Sequence, residues 1–167
     1  MIIKSDAHGK VENPRFLRVN QKLASKEEYK MDGEFKPVME GIFEAGSRPR
    51  LIGAICEKCH TKFFPKPIVC PHCLEEPKET RLSSEGKIYT YSVLRTRPPY
   101  GLPKPYADGY VDLEEDGLRI HTLFDPAKIS DLEIGKPVAL RVGPIGVGND
   151  GQPCLRYYFT TKEGGDQ

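Results

Sequence analysis

A chain of 167 residues, 38% hydrophobic and 29% charged, has room for one ordinary globular domain or two small ones. Its 25 basic and 24 acidic residues leave a formal charge of +1, which argues against nucleic acid as the main partner, because neutralising phosphates takes a clustered excess of Lys and Arg. Residues 1–10 hold Lys4, Asp6 and His8 but no apolar h-region, and no later run reaches the length of a membrane span, so the expected compartment is the cytoplasm.

Residues 1–20 are polar and without period, and read as an arm that is loose or ordered by a partner. Ser25-Lys-Glu-Glu28 has the form of a capping box ahead of a short helix, with Ser25 capping the backbone and Glu28 reaching back. Asp32-Gly33 breaks it. Pro37 is then expected to open a second helix that sets Val38, Met39, Ile42 and Phe43 on one apolar face, with Gly46 as its stop. That face packs on the units that follow or docks another subunit.

Arg50 to Ile55 reads as a strand leading into Cys56-Glu-Lys-Cys59, ten intervening residues, and Cys70-Pro-His-Cys73. Each Cys-x-x-Cys pair can turn back as a tight knuckle, so four thiolates converge on one tetrahedral ion. Three rival readings are weaker. Cys56-Glu-Lys-Cys59-His60 matches a haem attachment site, but that needs export. Cys70-Pro-His-Cys73 resembles a thiol oxidoreductase motif, but nothing around Val69 reads as βαβ. Disulfides do not suit a reducing compartment. His60 and His72 sit beside better thiolate ligands, and His8 and His121 carry no motif. Four thiolates close the coordination shell, so the expected Zn2+ is structural; iron in a rubredoxin-like site is the alternative. A unit this short folds only with such help, since metal binding is worth on the order of 10–16 kcal/mol in zinc-finger peptides. Phe63 and Phe64 are expected to pack on the metal hairpin, and residues 74–79 read as a charged link.

Ser83-Ser-Glu-Gly86 marks a new unit of short strands. Ile88 to Thr96 is rich in β-branched and aromatic residues, and Tyr110 to Leu113 and Leu118 to Phe124 flank Asp116-Gly117, a strong hairpin signal. Residues 125–134 have room for one helical turn. Val138, Leu140 and Val142 alternate with polar or small neighbours, as do Leu155, Tyr157 and Phe159. Five strands with a helical turn between the third and fourth fit an OB-type barrel, and a small β-sandwich fits less economically. The fold class is therefore mainly β with short N-terminal helices: a rubredoxin-like zinc ribbon followed by a five-stranded OB-fold barrel. The expected boundaries are 1–49 for the arm and helices, 50–80 for the ribbon, 81–163 for the OB domain and 164–167 for a tail.

Between the first two barrel strands, residues 97–106 form the densest proline run in the chain, which lowers the entropy lost on holding the loop in one shape. Arg95, Arg97 and Lys104 offer phosphate-seeking charge, and Tyr100 and Tyr106 offer flat faces for an adenine or other ring; a stiff solvent loop is the alternative. Residues 143–153 read as a Gly-rich hairpin loop without phosphate-loop spacing.

The order of these parts resembles the DUF35 family. The features that carry the likeness are the amphipathic N-terminal helix expected from Pro37, then Leu51-Ile-Gly-Ala-Ile-Cys56-Glu-Lys-Cys59, Phe64-Pro65-Lys66, Cys70-Pro71-His72-Cys73, Gly86-Lys-Ile-Tyr-Thr-Tyr91, and Pro105-Tyr106-Ala107 ahead of Val111-Asp112-Leu113. Members are zinc-ribbon OB-fold proteins encoded with thiolases. The resemblance implies a small partner subunit of a thiolase-type enzyme acting on acyl-CoA, with ribbon and barrel helping to hold the CoA or the partner. It adds Phe64 and Lys66 to the candidate CoA contacts and makes Val38, Met39, Ile42 and Phe43 candidate interface residues. Lys66 stands where the family often has arginine, turning a bidentate contact into a point charge. Within the family, the extended N-terminus and residues 91–113 are most similar to the small subunits of benzoylsuccinyl-CoA thiolases, which act in anaerobic toluene breakdown. A dimeric thiolase core implies a symmetric assembly with two copies of each chain.

A thiolase needs an activated cysteine with a base beside it. Only Cys154 is free of the metal set, and its place at a strand start reads as a small buried thiol. The expected role is noncatalytic. A free-standing acyl-CoA-binding module and a single-stranded nucleic-acid-binding protein are the alternatives, which fold alone does not separate.

Overall fold

Alternation of inward and outward residues closes the C-terminal half into a barrel. In this computed structural model residues 35–162 are described; the arm, the Ser25 to Glu28 capping box and the tail lie outside them. Five strands make the ring: β6 (Glu85–Leu94), β7 (Tyr106–Leu113), β8 (Leu118–Phe124), β9 (Pro137–Val147) and β10 (Pro153–Thr161). Antiparallel pairing joins β6 to β7, β7 to β8, β9 to β10 and β9 to β6. The remaining seam is parallel, with Leu123 opposite Tyr158 and Phe124 opposite Phe159 in β8 and β10. This closed five-stranded ring is the OB architecture. Val111, Leu113, Ile120, Phe124, Val138, Leu140 and Phe159 fill it, each at most 3% exposed.

The turn between β8 and β9 is 3-10 helical, Pro126–Asp131, with Asp125 accepting from the Ala127 N–H at 2.9 Å. The strands run longer than their patterns indicate. β7 starts at Tyr106, because Gly109 is part of the ladder: a Cβ there would lie 2.1 Å from the Thr90 carbonyl oxygen. β9 continues to Val147 and takes in residues expected in a loop, since residues 143–144 still pair with β10.

The N-terminal strands are β1 (Lys36–Pro37), β2 (Phe43–Glu44), β3 (Arg50–Ile55), β4 (Lys62–Phe63) and β5 (Lys78–Arg81). β3 is the centre of the ribbon and pairs with β2, β4 and β5. β5 falls where a charged link is expected; its Lys-Glu-Thr-Arg sequence is mostly exposed and carries no apolar period. Leu51 and Leu82 belong to the same hydrophobic cluster as the barrel residues, so ribbon and barrel share one core.

The helix expected from Pro37 does not form. Lys36–Pro37 pairs in parallel with Cys154 and Leu155, and the Val38 N–H donates to the Leu155 carbonyl at 2.8 Å. Gly41 at φ +71° takes a left-handed conformation that a helix interior cannot use, and Ile42 and Phe43 are drawn onto β3. No single apolar face results. Phe43 meets the Tyr157 ring edge-on at 6.3 Å, Val38 and Ile42 are half-buried, and of the four candidate interface residues Met39 alone is exposed.

Candidate metal centre and loop site

β3 delivers Cys56 at the end of a fixed strand, and two knuckles of the same design follow. The Cys56 N–H donates to the Thr61 carbonyl at 2.9 Å and the His60 N–H to the Cys56 carbonyl at 2.8 Å. In the second knuckle the Cys70 N–H donates to Glu75 at 2.8 Å and the Leu74 N–H to Cys70 at 2.9 Å. The residue after each second cysteine is left-handed, His60 at φ +57° and Leu74 at φ +62°, a conformation costing roughly 1–2 kcal/mol without glycine. The repeat turns all four sulfurs inward.

Cys56, Cys59, Cys70 and Cys73 place their Sγ atoms within 4.8 Å of one another. The Cys56–Cys73 and Cys59–Cys70 separations are 3.3 and 3.6 Å, too long for a disulfide and close to the ~3.8 Å that four sulfurs about 2.3 Å from a tetrahedral ion adopt. Thr61, with its hydroxyl 3.3 Å from Cys59 Sγ, holds the Cys59 thiol at about 6. At Cys73 the Glu75 N–H lowers the thiol, but hydrogen bonding to Cys56, burial and the other two sulfurs push it up to about 12. Four thiolates this close repel one another, and a cation at their centre offsets that repulsion. The donor set fits a tetrahedral metal ion with a closed shell. Neither His60 nor His72 belongs to the group; His72 stacks on Phe63 with centroids 6.2 Å apart.

Phe64, expected on the metal hairpin, turns the other way and meets Tyr157 of β10 edge-on at 5.7 Å. Its ring joins ribbon to barrel. Lys66 is exposed. The loop between β6 and β7 carries Arg95, Arg97 and Lys104, all exposed and without an ion pair among the described residues. Tyr100 lies in the 3-10 turn Pro99–Gly101 with φ +50° and is 60% exposed. Tyr106, by contrast, is buried in β7 and offers no open face.

Sequence reasoning missed Arg156. Its Nε donates to the Ile145 carbonyl at 3.0 Å and its Nη2 to Val147 at 2.8 Å, and the guanidinium lies 5.8 Å from the Tyr100 ring centroid. Gly146 makes room for the loop, since a Cβ there would stand 2.6 Å from the Tyr100 carbonyl oxygen. The only signal was a charged residue within an otherwise apolar strand. Cys154 is 4% exposed, with burial, opposed by Arg156, pushing its thiol up; it is no activated nucleophile. No helix among the described residues is long and apolar enough to cross a membrane.

Comparison with known proteins agrees with this geometry. Residues 43–79 match the family described as ChsH2, rubredoxin-like zinc ribbon domain, and residues 79–143 match ChsH2, C-terminal OB-fold domain. Benzoylsuccinyl-CoA thiolase subunit BbsA of Thauera aromatica is 37% identical over 115 residues, covering 68% of this chain and 78% of that subunit. The chain belongs to the DUF35 family of zinc-ribbon and OB-fold proteins. The BbsA subunit of Geobacter metallireducens is 33% identical over 126 residues, 75% of this DUF35 chain and 84% of that one. A DUF35 domain-containing scaffold protein of Methanocaldococcus jannaschii is 40% identical over 91 residues, 53% of this chain; the match spans 64% of that relative, less than two thirds. Among solved structures, the Ltp2-ChsH2(DUF35) aldolase is similar with a TM-score of 0.56 and 26% identity, over 67% of this chain and 84% of that one. The OB-fold match ends at residue 143, before β10, the strand that closes the barrel here.

Proposed function

We propose that this chain is the noncatalytic small subunit of a thiolase-type acyl-CoA enzyme. The observation that carries the reading is its similarity, over 78% and 84% of their lengths, to two proteins named as thiolase subunits. The chain's own chemistry supports it: four cysteines converge on a metal site and the fifth is buried, so nucleophile, base and oxyanion donors come from the partner. The ribbon holds a structural Zn2+. Arg95, Arg97 and Lys104 supply charge for the phosphates of CoA, and Tyr100, backed by Arg156, a surface for its adenine. The finer assignment is benzoylsuccinyl-CoA cleavage during anaerobic toluene degradation, in an assembly with two copies of each chain.

Similarity to the Ltp2-ChsH2(DUF35) aldolase favours a second reading, in which the partner breaks a carbon–carbon bond by retro-aldol chemistry. The two differ in stoichiometry of reactants: thiolysis consumes one free CoA per bond broken, and aldol cleavage consumes none. Affinity purification of the tagged chain from its native host, with mass spectrometry, tests the subunit reading. A stoichiometric thiolase-like protein supports it, and a monomeric chain emerging alone overturns it. Free CoA consumption by the purified pair then separates thiolysis from aldol cleavage.

A further inference from the structure

Outside the metal centre and the loop, the outer face of β6, β7 and β8 carries a row of aromatic and charged side chains. Tyr110 stands directly opposite His121, with ring centroids 5.3 Å apart, and Asp112 directly opposite Arg119. A β-bulge between Ile88 and Thr90 keeps Ile88 and Tyr91 turned to the core while Tyr89 points outward. The Arg119 guanidinium lies over the Tyr89 ring at 3.1 Å from its centroid. Asp112 grips the same guanidinium at 2.6 and 3.0 Å. Tyr89 and Tyr110 remain 48% and 42% exposed.

The charges of this face are already answered within it. Arg119 is paired with Asp112, and Asp108 lies 3.7 Å from His121. Lys87, at the edge, is paired with Glu114 at 3.0 Å. A phosphate arriving here meets three carboxylates and no unpaired cation, in contrast to the loop that bears Arg95, Arg97 and Lys104. Nucleotide and nucleic acid therefore fit the face poorly. A protein surface fits it well, because interface centres favour Tyr and Arg, and an arginine clamped by a carboxylate and a ring loses little freedom on burial. Cross-strand pairing alone stabilises the sheet modestly.

We infer that the outer face of β6–β8, centred on Tyr89, Tyr110 and Arg119, is the docking surface for the catalytic subunit. The inference rests on the subunit reading proposed above and assigns that contact to the barrel.

The test titrates the purified full-length chain against the thiolase-type protein that co-purifies with it from the native host. Tyr89→Ala and Tyr110→Ala are each expected to raise Kd about tenfold or more. Amide hydrogen exchange of the wild-type pair should show new protection across residues 106–124, a readout that needs no variant and stands if one fails to fold. Absence of any such binding by the wild-type chain defeats the subunit reading and this inference with it. Binding by the wild type with both variants equally tight and no protection of residues 106–124 overturns the inference alone, as does loss of binding on Ile68→Ser with Leu74→Ser in the exposed second knuckle but not on the tyrosine variants. Self-association, or binding of a single-stranded oligonucleotide, that is lost in Tyr110→Ala also overturns it.

Discussion

Lys62 Nζ stands 2.6 Å from Asp116 Oδ1, tying the ribbon to the hairpin between β7 and β8. The other carboxylate oxygen accepts from the Ser83 N–H at 2.6 Å, and the Asp116 side chain is 5% exposed. One carboxylate thus holds the ribbon strand β4, the junction after β5 and the barrel turn. Asp116→Ala leaves Ser83 and Lys62 without their acceptor and should lower stability by about 2–3 kcal/mol. Asp116→Asn keeps an acceptor but loses the charge, and should fall between. Denaturant midpoints of the three proteins check the order.

Gly109 and Gly117 should respond very differently to alanine. A Cβ on Gly109 meets backbone on the neighbouring strand, 2.1 Å from Thr90 O and 2.7 Å from Tyr91 Cα, so relief requires moving β6. A loss of roughly 3 kcal/mol or more is expected. Gly117, at φ +64° with nothing within 4 Å, involves only the left-handed conformation, about 1–2 kcal/mol. Thermal unfolding of both variants reads the difference.

The protein should weaken toward alkaline pH. Burial first, then the charge of Asp125, raises Tyr158 from 10.0 to about 12 against the opposing effect of Arg141, and burial raises Tyr157 and Cys154 as well. Each group is neutral when protonated, so above its ordinary value the unfolded chain releases a proton that the folded protein keeps. Stability is full below about pH 9 and falls as pH rises through the folded values. Urea midpoints at pH 8 and pH 11 should show the fall, and Tyr158→Phe should reduce it. Equal pH slopes for the two proteins would contradict the assignment.

Metal removal should loosen the ribbon first. Chelation, or Cys56→Ser with Cys59→Ser, takes away the anchor of both knuckles, and hydrogen-exchange protection should be lost across β3, β4 and β5 while β7 and β8 keep theirs. Because Leu51 and Leu82 sit in the shared core, the barrel should survive with a lower Tm. Simultaneous loss of protection in both parts would show that the metal holds the whole fold.

What the sequence announces clearly is what rests on short-range chemistry. Two Cys-x-x-Cys pairs specify a four-sulfur site, Asp116-Gly117 specifies a hairpin, and the alternation in Leu118–Phe124 specifies a half-buried strand. What it conceals depends on distant partners. Pro37 and the apolar residues after it have a helical spacing, but β10 offers their backbone a ladder. β5 has no apolar period because it lies on an exposed edge. Gly109 has the composition of a breaker and is there because β6 passes too close for a side chain. Tyr106 looks available in a proline-rich loop, yet it begins β7 and is buried. Arg156 acquires its meaning only when β9 brings the Ile145 and Val147 carbonyls to it.

The proposed subunit role requires this chain to complete an enzyme whose reacting groups belong to a partner. Its most direct test is reconstitution: the isolated thiolase-type subunit is assayed for CoA-dependent cleavage of benzoylsuccinyl-CoA while this chain is added in increasing amounts. Little activity is expected from either protein alone, with a rise that saturates at equal numbers of the two chains. Full activity of the partner by itself, with the same kcat and the same KM for CoA whether or not this chain is present, would contradict it.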